Sequence, residues 1–215
     1  FYPKCYSKSM KNLTILIAML MAIGGCSNEG PQIVERGGLY YEVDSQIPFT
    51  GSKEWYYKNG QLQSSANYKD GKWEGPVEVY YENGQLEWKD NYKDGKEDGL
   101  SEEYHENGQL ESKRNYRDGM KVGLYESYHE NGQLDSSQNY KDGKEDGLLE
   151  YYYENGQLLL SANYKEGERD GLWEWYYENG QLESKKTYRD AKEHGLQEWY
   201  YENGQLESKK TYRDA

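Results

Sequence analysis

The chain has 215 residues, a net charge of −13, only 34% hydrophobic residues, and yet 25 Tyr and 24 Gly against 2 Phe. So polar a composition excludes a thick apolar core, while regularly placed tyrosines exclude plain disorder, because Tyr suits a half-buried sheet surface. The acidity, with no basic run longer than the pairs Lys113-Arg114, Lys185-Lys186 and Lys209-Lys210, argues against nucleic acid as a partner.

Residues 1–25 read as upstream residues plus a signal peptide, with Met10 as the expected start. Lys11 supplies a positive n-region and Leu13 to Ile23 an apolar h-region, which is too short for a transmembrane helix of about 20 residues. The closing Ile23-Gly24-Gly25-Cys26 resembles the lipobox of bacterial lipoproteins. That resemblance implies cleavage before Cys26, acylation there, and a membrane partner reached through the lipid anchor. Ser27 after the cysteine then points to the outer membrane in a Gram-negative cell envelope. With Cys5 in the discarded part, no intramolecular disulfide and no cysteine metal site is expected. Residues 26–38 form the lipidated cysteine and a polar tether.

From residue 51 onward the chain repeats itself. The tetrapeptide NGQL starts at Asn59, Asn83, Asn107, Asn131, Asn155, Asn179 and Asn203, a period of 24 residues without insertion. Asp70-Gly71, Asp94-Gly95, Asp118-Gly119, Asp142-Gly143 and Glu166-Gly167 keep the same period, as do Asp190-Ala191 and Asp214-Ala215. Asn-Gly and Asp-Gly between alternating runs are signals for type I′ hairpin turns, which need positive φ at both central residues. Each unit is therefore two strands and two turns. Alanine resists positive φ, so the turns at Ala191 and Ala215 are expected to be looser or of another type. The fold class that follows is all-β: an elongated, single-layer antiparallel array of hairpins, seven units over residues 51–215. Fourteen strands about 4.8 Å apart would make a sheet roughly 65 Å long.

Alternation assigns the faces. In the unit from Gly171 to Asp190, a two-residue turn at Asn179-Gly180 would set Tyr177 opposite Leu182, Trp175 opposite Ser184 and Trp173 opposite Lys186, joined by Tyr188. The other face carries Leu172, Glu174, Tyr176 and Glu178. Seven glutamates from Glu54 to Glu198 form one column there and seven tyrosines from Tyr56 to Tyr200 another. The acids are read as a solvated face paired with Lys or Ser across the strand, not as a metal site. A glycine column from Gly51 to Gly195 opens each first strand and predicts a bulge.

The unit G-L-W-E-W-Y-Y-E-N-G-Q-L…Y-x-D-G, most complete at Gly171 to Asp190, resembles the MORN repeat variant of bacteria over about residues 39–215. The opening GLYYEVDSQIPFTG, Gly38 to Gly51, resembles the family's first segment, which implies N-terminal capping strands over 39–50. Many bacterial proteins of this kind, the YwqK family, are described as antitoxins, so the resemblance implies binding of another protein, a toxin or an envelope protein.

No catalytic constellation is evident, and no cofactor or metal is expected. His105 and His129 stand where other units have the second Tyr of Tyr-Tyr, and are read as substitutes for it. The candidate binding face is Trp173, Trp175, Tyr177, Leu182, Tyr188, Trp199 and Tyr201. The resulting expectation is a non-enzymatic, envelope-anchored scaffold for protein interaction, of antitoxin or immunity type. The alternatives are a glycan or cell-wall binder, since aromatics stack on sugars and cage quaternary ammonium, and a spacer.

Overall fold

The computed structural model describes residues 30–212; the signal peptide, Cys26 and the Asp214-Ala215 turn lie outside the described residues. The repeats form one antiparallel sheet of 16 strands. Its continuous path is a meander in chain order, from Gly51–Tyr56 at one edge to Leu206–Tyr212 at the other. The pieces Lys96–Glu97 and Glu168–Arg169 pair beside that path and are the starts of first strands that a bulge has set apart.

The two turns of each unit differ in kind. At Asp70-Gly71 both residues have positive φ, 50° and 75°, and Lys69 faces Lys72, which is the expected type I′ geometry. At Asn179-Gly180 only Gly180 is left-handed, with φ 82°. Its N–H bonds the Tyr177 carbonyl at 2.8 Å, and the Tyr177 N–H bonds the Gln181 carbonyl at 2.8 Å. This is a type I turn closed by a glycine bulge, not the predicted type I′ turn. The cause is Asn179, whose Oδ1 accepts the Gln181 N–H at 2.9 Å and holds the tighter local turn. The bulge moves one pairing: Leu182 faces Tyr176 rather than Tyr177, while Trp175–Ser184 and Trp173–Lys186 stand as expected.

The turn at Ala191 also departs from expectation. Asp190 and Ala191 take φ 49° and 61°, and Arg189 still faces Lys192, so the turn is the same as in the glycine-bearing units. Strand pairing and the bond from the Ala191 N–H to the Arg169 carbonyl, 3.2 Å, hold it there against a cost of about 1–2 kcal/mol.

The glycine column does form bulges. Gly51, Gly75, Gly99, Gly123, Gly147, Gly171 and Gly195 all have positive φ, and the register breaks beside all but Gly51, which opens the edge strand, as between Lys185–Glu198 and Thr187–His194. An asparagine on the neighbouring strand bridges the break: Asn91 Nδ2 donates to the Leu100 carbonyl at 2.8 Å, and Asn163 Nδ2 to that of Leu172 at 3.2 Å. Each bulge bends its strand. In a sheet with no second layer among the described residues, such bending lets one face bury its side chains against one another. Buried residues gather there in two clusters, Phe49, Ala66, Tyr68, Val77 and Tyr92 near one end, and Leu149, Ala162, Trp173 and Tyr188 nearer the other.

The first cluster is closed by the segment before the repeats. Ile33–Arg36 pairs with Leu39–Glu42, so a strand begins inside the stretch read as tether, and residues 43–50 are mostly irregular rather than strand, with a single bridge from Tyr41 to Pro48. Tyr40 and Phe49 lay their rings against Tyr68 at 5.0 and 5.6 Å, and Gly71 exchanges backbone bonds with both.

Candidate functional site

Neighbouring units are tied by a column of side chains. The hydroxyl of the second Tyr in Tyr-Tyr donates to a backbone carbonyl 23 residues on: Tyr57 to Tyr80, Tyr81 to Tyr104, Tyr153 to Tyr176 and Tyr177 to Tyr200, at 2.6–2.9 Å. His105 and His129 make the same link through Nε2, 3.3 and 3.1 Å from Tyr128 and Tyr152. A carbonyl only accepts, so Nε2 carries the proton in both. They substitute for tyrosine, as read from the sequence. Asn59, Asn83, Asn131, Asn155 and Asn179 add a second tie, each Nδ2 donating to the carbonyl of the next unit's turn.

The outer face is a ladder of paired charges. Tyr80, Tyr152, Tyr176 and Tyr200 donate to the glutamates two residues earlier, at 2.8–3.1 Å. Lys89, Lys113 and Lys185 sit 2.6–2.7 Å from Glu78, Glu126 and Glu198. The lysine ammonium and tyrosine hydroxyl hold Glu78 below the usual carboxylate range. The same hydrogen bonds from Lys185 and Tyr200 do so for Glu198. The Glu column is thus a solvated, cross-paired surface. Among the described residues no group of three or more His, Cys, Asp or Glu is placed to hold a metal ion.

The aromatic face has three zones. The first is covered by Tyr40 and Phe49. The last holds the predicted binding residues, but in different roles. Trp173 and Tyr188 are each 5% exposed, and Trp173 donates through Nε1 to the Asn163 carbonyl at 3.1 Å, so both are core. Tyr177 is an inter-unit tie, and Leu182 is half-buried beside Tyr176. Trp175 and Trp199 are half-buried and flank one cation: the Lys186 Nζ lies 5.5 and 5.7 Å from their ring centres. Arg169 lies over Trp173 and Tyr188 at 5.0 and 5.4 Å. Tyr201 is 50% exposed. Lys186 also pairs with Glu193 at 3.6 Å, so this end is aromatic with a cation that is partly neutralised.

Sequence reasoning missed the middle zone. The column that holds Ala66 and Ala162 carries Asp90, Arg114 and Gln138 in between, and the column beside it carries Ser101 and Tyr125 between Val77 and Leu149. Arg114 pairs with Glu103 and donates from Nε to Ser101 Oγ at 3.3 Å, and Ser112 Oγ donates to Glu103 at 2.9 Å. Burial pushes the Asp90 carboxyl up, opposed by a hydrogen bond from Ser101 and the Arg114 charge. Burial likewise raises Glu97 and Glu145 and lowers Lys121, whose ammonium lies over the Tyr140 ring at 5.1 Å. Aligning these two columns at the 24-residue period shows the polar break in the sequence itself.

A linear array of stapled hairpins offers extended surface rather than a closed pocket, the property of repeat proteins as a class. The MORN repeat variant model matches residues 49–70, 73–94, 97–118, 121–142, 145–166, 169–190 and 193–214. The chain belongs to that family, whose repeats are in general protein- or membrane-binding and typically non-catalytic. No curated protein matches the chain. Among solved structures it is similar to the S. aureus TarM G117R mutant in complex with Fondaparinux, alpha-GlcNAc-glycerol and UDP, at 11% identity and a TM-score of 0.32. That likeness covers 65% of this chain and 24% of the other, so the chain spans about a quarter of that protein's length.

Proposed function

We propose that this protein is a non-enzymatic scaffold, held in the bacterial cell envelope by acylation of Cys26, that grips another protein with the last third of its aromatic face. The partner is a toxin or an envelope protein, and the role is that of an antitoxin or immunity component. The observation that carries the reading is the Trp175–Lys186–Trp199 arrangement, where two half-buried indoles and a cation share one surface. Tryptophan is among the residues that carry most of the binding energy of protein interfaces.

The test is a binding measurement with the full chain and the Trp175→Ala, Trp199→Ala double variant against envelope and cytosolic extracts of the source cell. One dominant protein held by the parent and released at least tenfold more readily by the variant supports the reading. If it is an antitoxin, co-expression also relieves growth arrest caused by that protein. Recovery of wall glycan in place of protein, or equal capture by both forms, sinks it.

A further inference from the structure

Neighbouring units are not joined equally well along the array. At the seam where Leu110–Arg117 of the third unit pairs with Met120–Tyr128 of the fourth, three kinds of side-chain tie weaken together. The link of the Tyr-Tyr column is made here by His105 at 3.3 Å, against 2.6–2.9 Å for the tyrosines. Asn107 Nδ2 turns to Gln109 Oε1 of its own unit at 3.4 Å. Asn59, Asn83, Asn131, Asn155 and Asn179 instead reach the turn of the next unit. Asn67, Asn91 and Asn163 donate across the bulge beside them, and among the described residues Asn115 and Asn139 make no such bond.

The inner face does little to make up for this. Ring pairs pack both ends, with Trp73–Tyr92 at 4.7 Å on one side and Tyr164–Trp173 at 5.3 Å on the other. Between them the polar side chains bond within their own units. Arg114 holds Glu103 and Ser101, and Ser112 holds Glu103, all in the third unit. Ser127 bonds Ser136 at 2.6 Å, and Lys121 lies over the Tyr125 and Tyr140 rings at 5.8 and 5.1 Å, all in the fourth. Charge across the seam is mixed, since Lys121 feels the like charge of Arg114 as well as Glu97 and Glu103. The buried Tyr116 hydroxyl and Gln138 Oε1 have no hydrogen-bond partner, which leaves their desolvation unopposed. The Lys113–Glu126 pair does cross, at 2.6 Å, but on the solvated face, where such pairs contribute little.

We infer that this seam is a hinge, which divides the array into two separately cooperative blocks. One block is the N-terminal hairpin with the first three units, and the other is the last four units. In a repeat array stability is the sum of each unit's own and of its contacts with its neighbours. One weak contact therefore uncouples what lies on either side of it. Each block keeps its own buried cluster, around Tyr68 and Val77 in the first and around Ala162 and Trp173 in the second. Opening at the seam bends the array and leaves both clusters intact. Nothing in this inference uses the Trp175–Lys186–Trp199 surface, so it and the proposed function stand or fall separately.

Amide hydrogen exchange of the full chain tests it, because local opening is read there residue by residue. The seam pairs Ser112–Ser127 and Lys113–Glu126 are compared with pairs at the same repeat positions. These are Ser64–Val79 and Ser65–Glu78 in the first block, and Leu160–Trp175 and Ser161–Glu174 in the second. Protection at the seam should be at least tenfold lower than at either. Gly71→Ala, which disturbs the N-terminal hairpin, should lower protection at least tenfold in Leu62–Lys69 and less than twofold in Leu182–Arg189. The variant His105→Tyr, Arg114→Ala, Lys121→Trp, Tyr125→Val copies Tyr57, Ala66, Trp73 and Val77 into the seam, and should raise its protection at least tenfold. Equal protection at seam and ends in the parent, or a Gly71→Ala loss shared equally by both blocks, overturns the inference. So does a folded seam variant without the gain.

Discussion

The Tyr177 hydroxyl donates to the Tyr200 carbonyl oxygen at 2.8 Å, joining two units through a side chain that looked, in the sequence, like part of a binding surface. The same bond recurs at 23-residue separation along the array, so the stability of each hairpin is held in common with its neighbour.

Removing one such tie should cost about one hydrogen bond. Tyr153→Phe keeps the ring but loses the donor to the Tyr176 carbonyl, and a loss of about 0.5–1.5 kcal/mol is expected from urea unfolding. His129→Tyr restores the residue of the other units and should leave stability equal or higher. A loss from His129→Tyr as large as from Tyr153→Phe would show that the histidine has another task.

Ala191 occupies a left-handed position where most other described units have glycine. Relieving that backbone stabilises by about 1–2 kcal/mol, against about 0.4–1 kcal/mol for the extra freedom of glycine in the unfolded chain. Ala191→Gly should therefore raise stability by about 0.5–1 kcal/mol, read as a higher urea midpoint with unchanged slope.

Two glycines of the Asp-Gly turns should respond differently to alanine. A Cβ on Gly119, φ 80°, meets nothing within 4 Å, so Gly119→Ala costs only the backbone term less the lost freedom of glycine in the unfolded chain, about 0.5–1 kcal/mol net. A Cβ on Gly71 would stand 2.9 Å from the Tyr40 carbonyl oxygen and 3.0 Å from the Pro48 side chain. Gly71→Ala must also displace the N-terminal hairpin, and its loss should exceed that of Gly119→Ala by at least about 1 kcal/mol. Thermal unfolding of both variants, followed by aromatic dichroism, compares them.

The buried Asp90 gives a pH signature. Its carboxyl is raised above the ordinary value, chiefly by burial. The folded state therefore binds the proton at pH values where the unfolded chain has already lost it. The group's contribution is most favourable below the unfolded value of about 3.9 and is lost as pH rises through the raised folded value. Asp90→Asn, which keeps a partner for Ser101, should be more stable than the parent at pH 7, with the gap closing toward pH 4. Chemical unfolding at a series of pH values measures this; a gap that widens on acidification would mean that the Arg114 charge outweighs burial.

Much of the architecture was legible because it rests on short-range chemistry. Asp-Gly pairs at a fixed spacing specify left-handed turns, glycines at the strand starts specify bulges, and period-two alternation separates Trp173 and Trp175 from Leu172 and Glu174. The histidine substitutions and the cross-paired glutamates were likewise readable by comparing units. The turn at Asn179-Gly180 was misread because two turn types share that dipeptide, and the Asn179 side chain, rather than backbone preference, selects between them. Ala191 was misread because strand pairing overrides a local penalty of about 1–2 kcal/mol.

The sequence by itself thus determined the seven units, their strands, the direction of alternation and the family. These depend on residues within a few positions of one another. Only the tertiary structure decided that Trp173 and Tyr188 are core, that Tyr177 is a tie while Trp175 and Trp199 share a cation, and that Asp90 and Arg114 interrupt the aromatic face. Those roles depend on groups about 10 to 24 residues away, brought alongside by the stacking of hairpins and the bend at each glycine. Burial and hydrogen-bond partners are properties of that stack, and no single unit contains them.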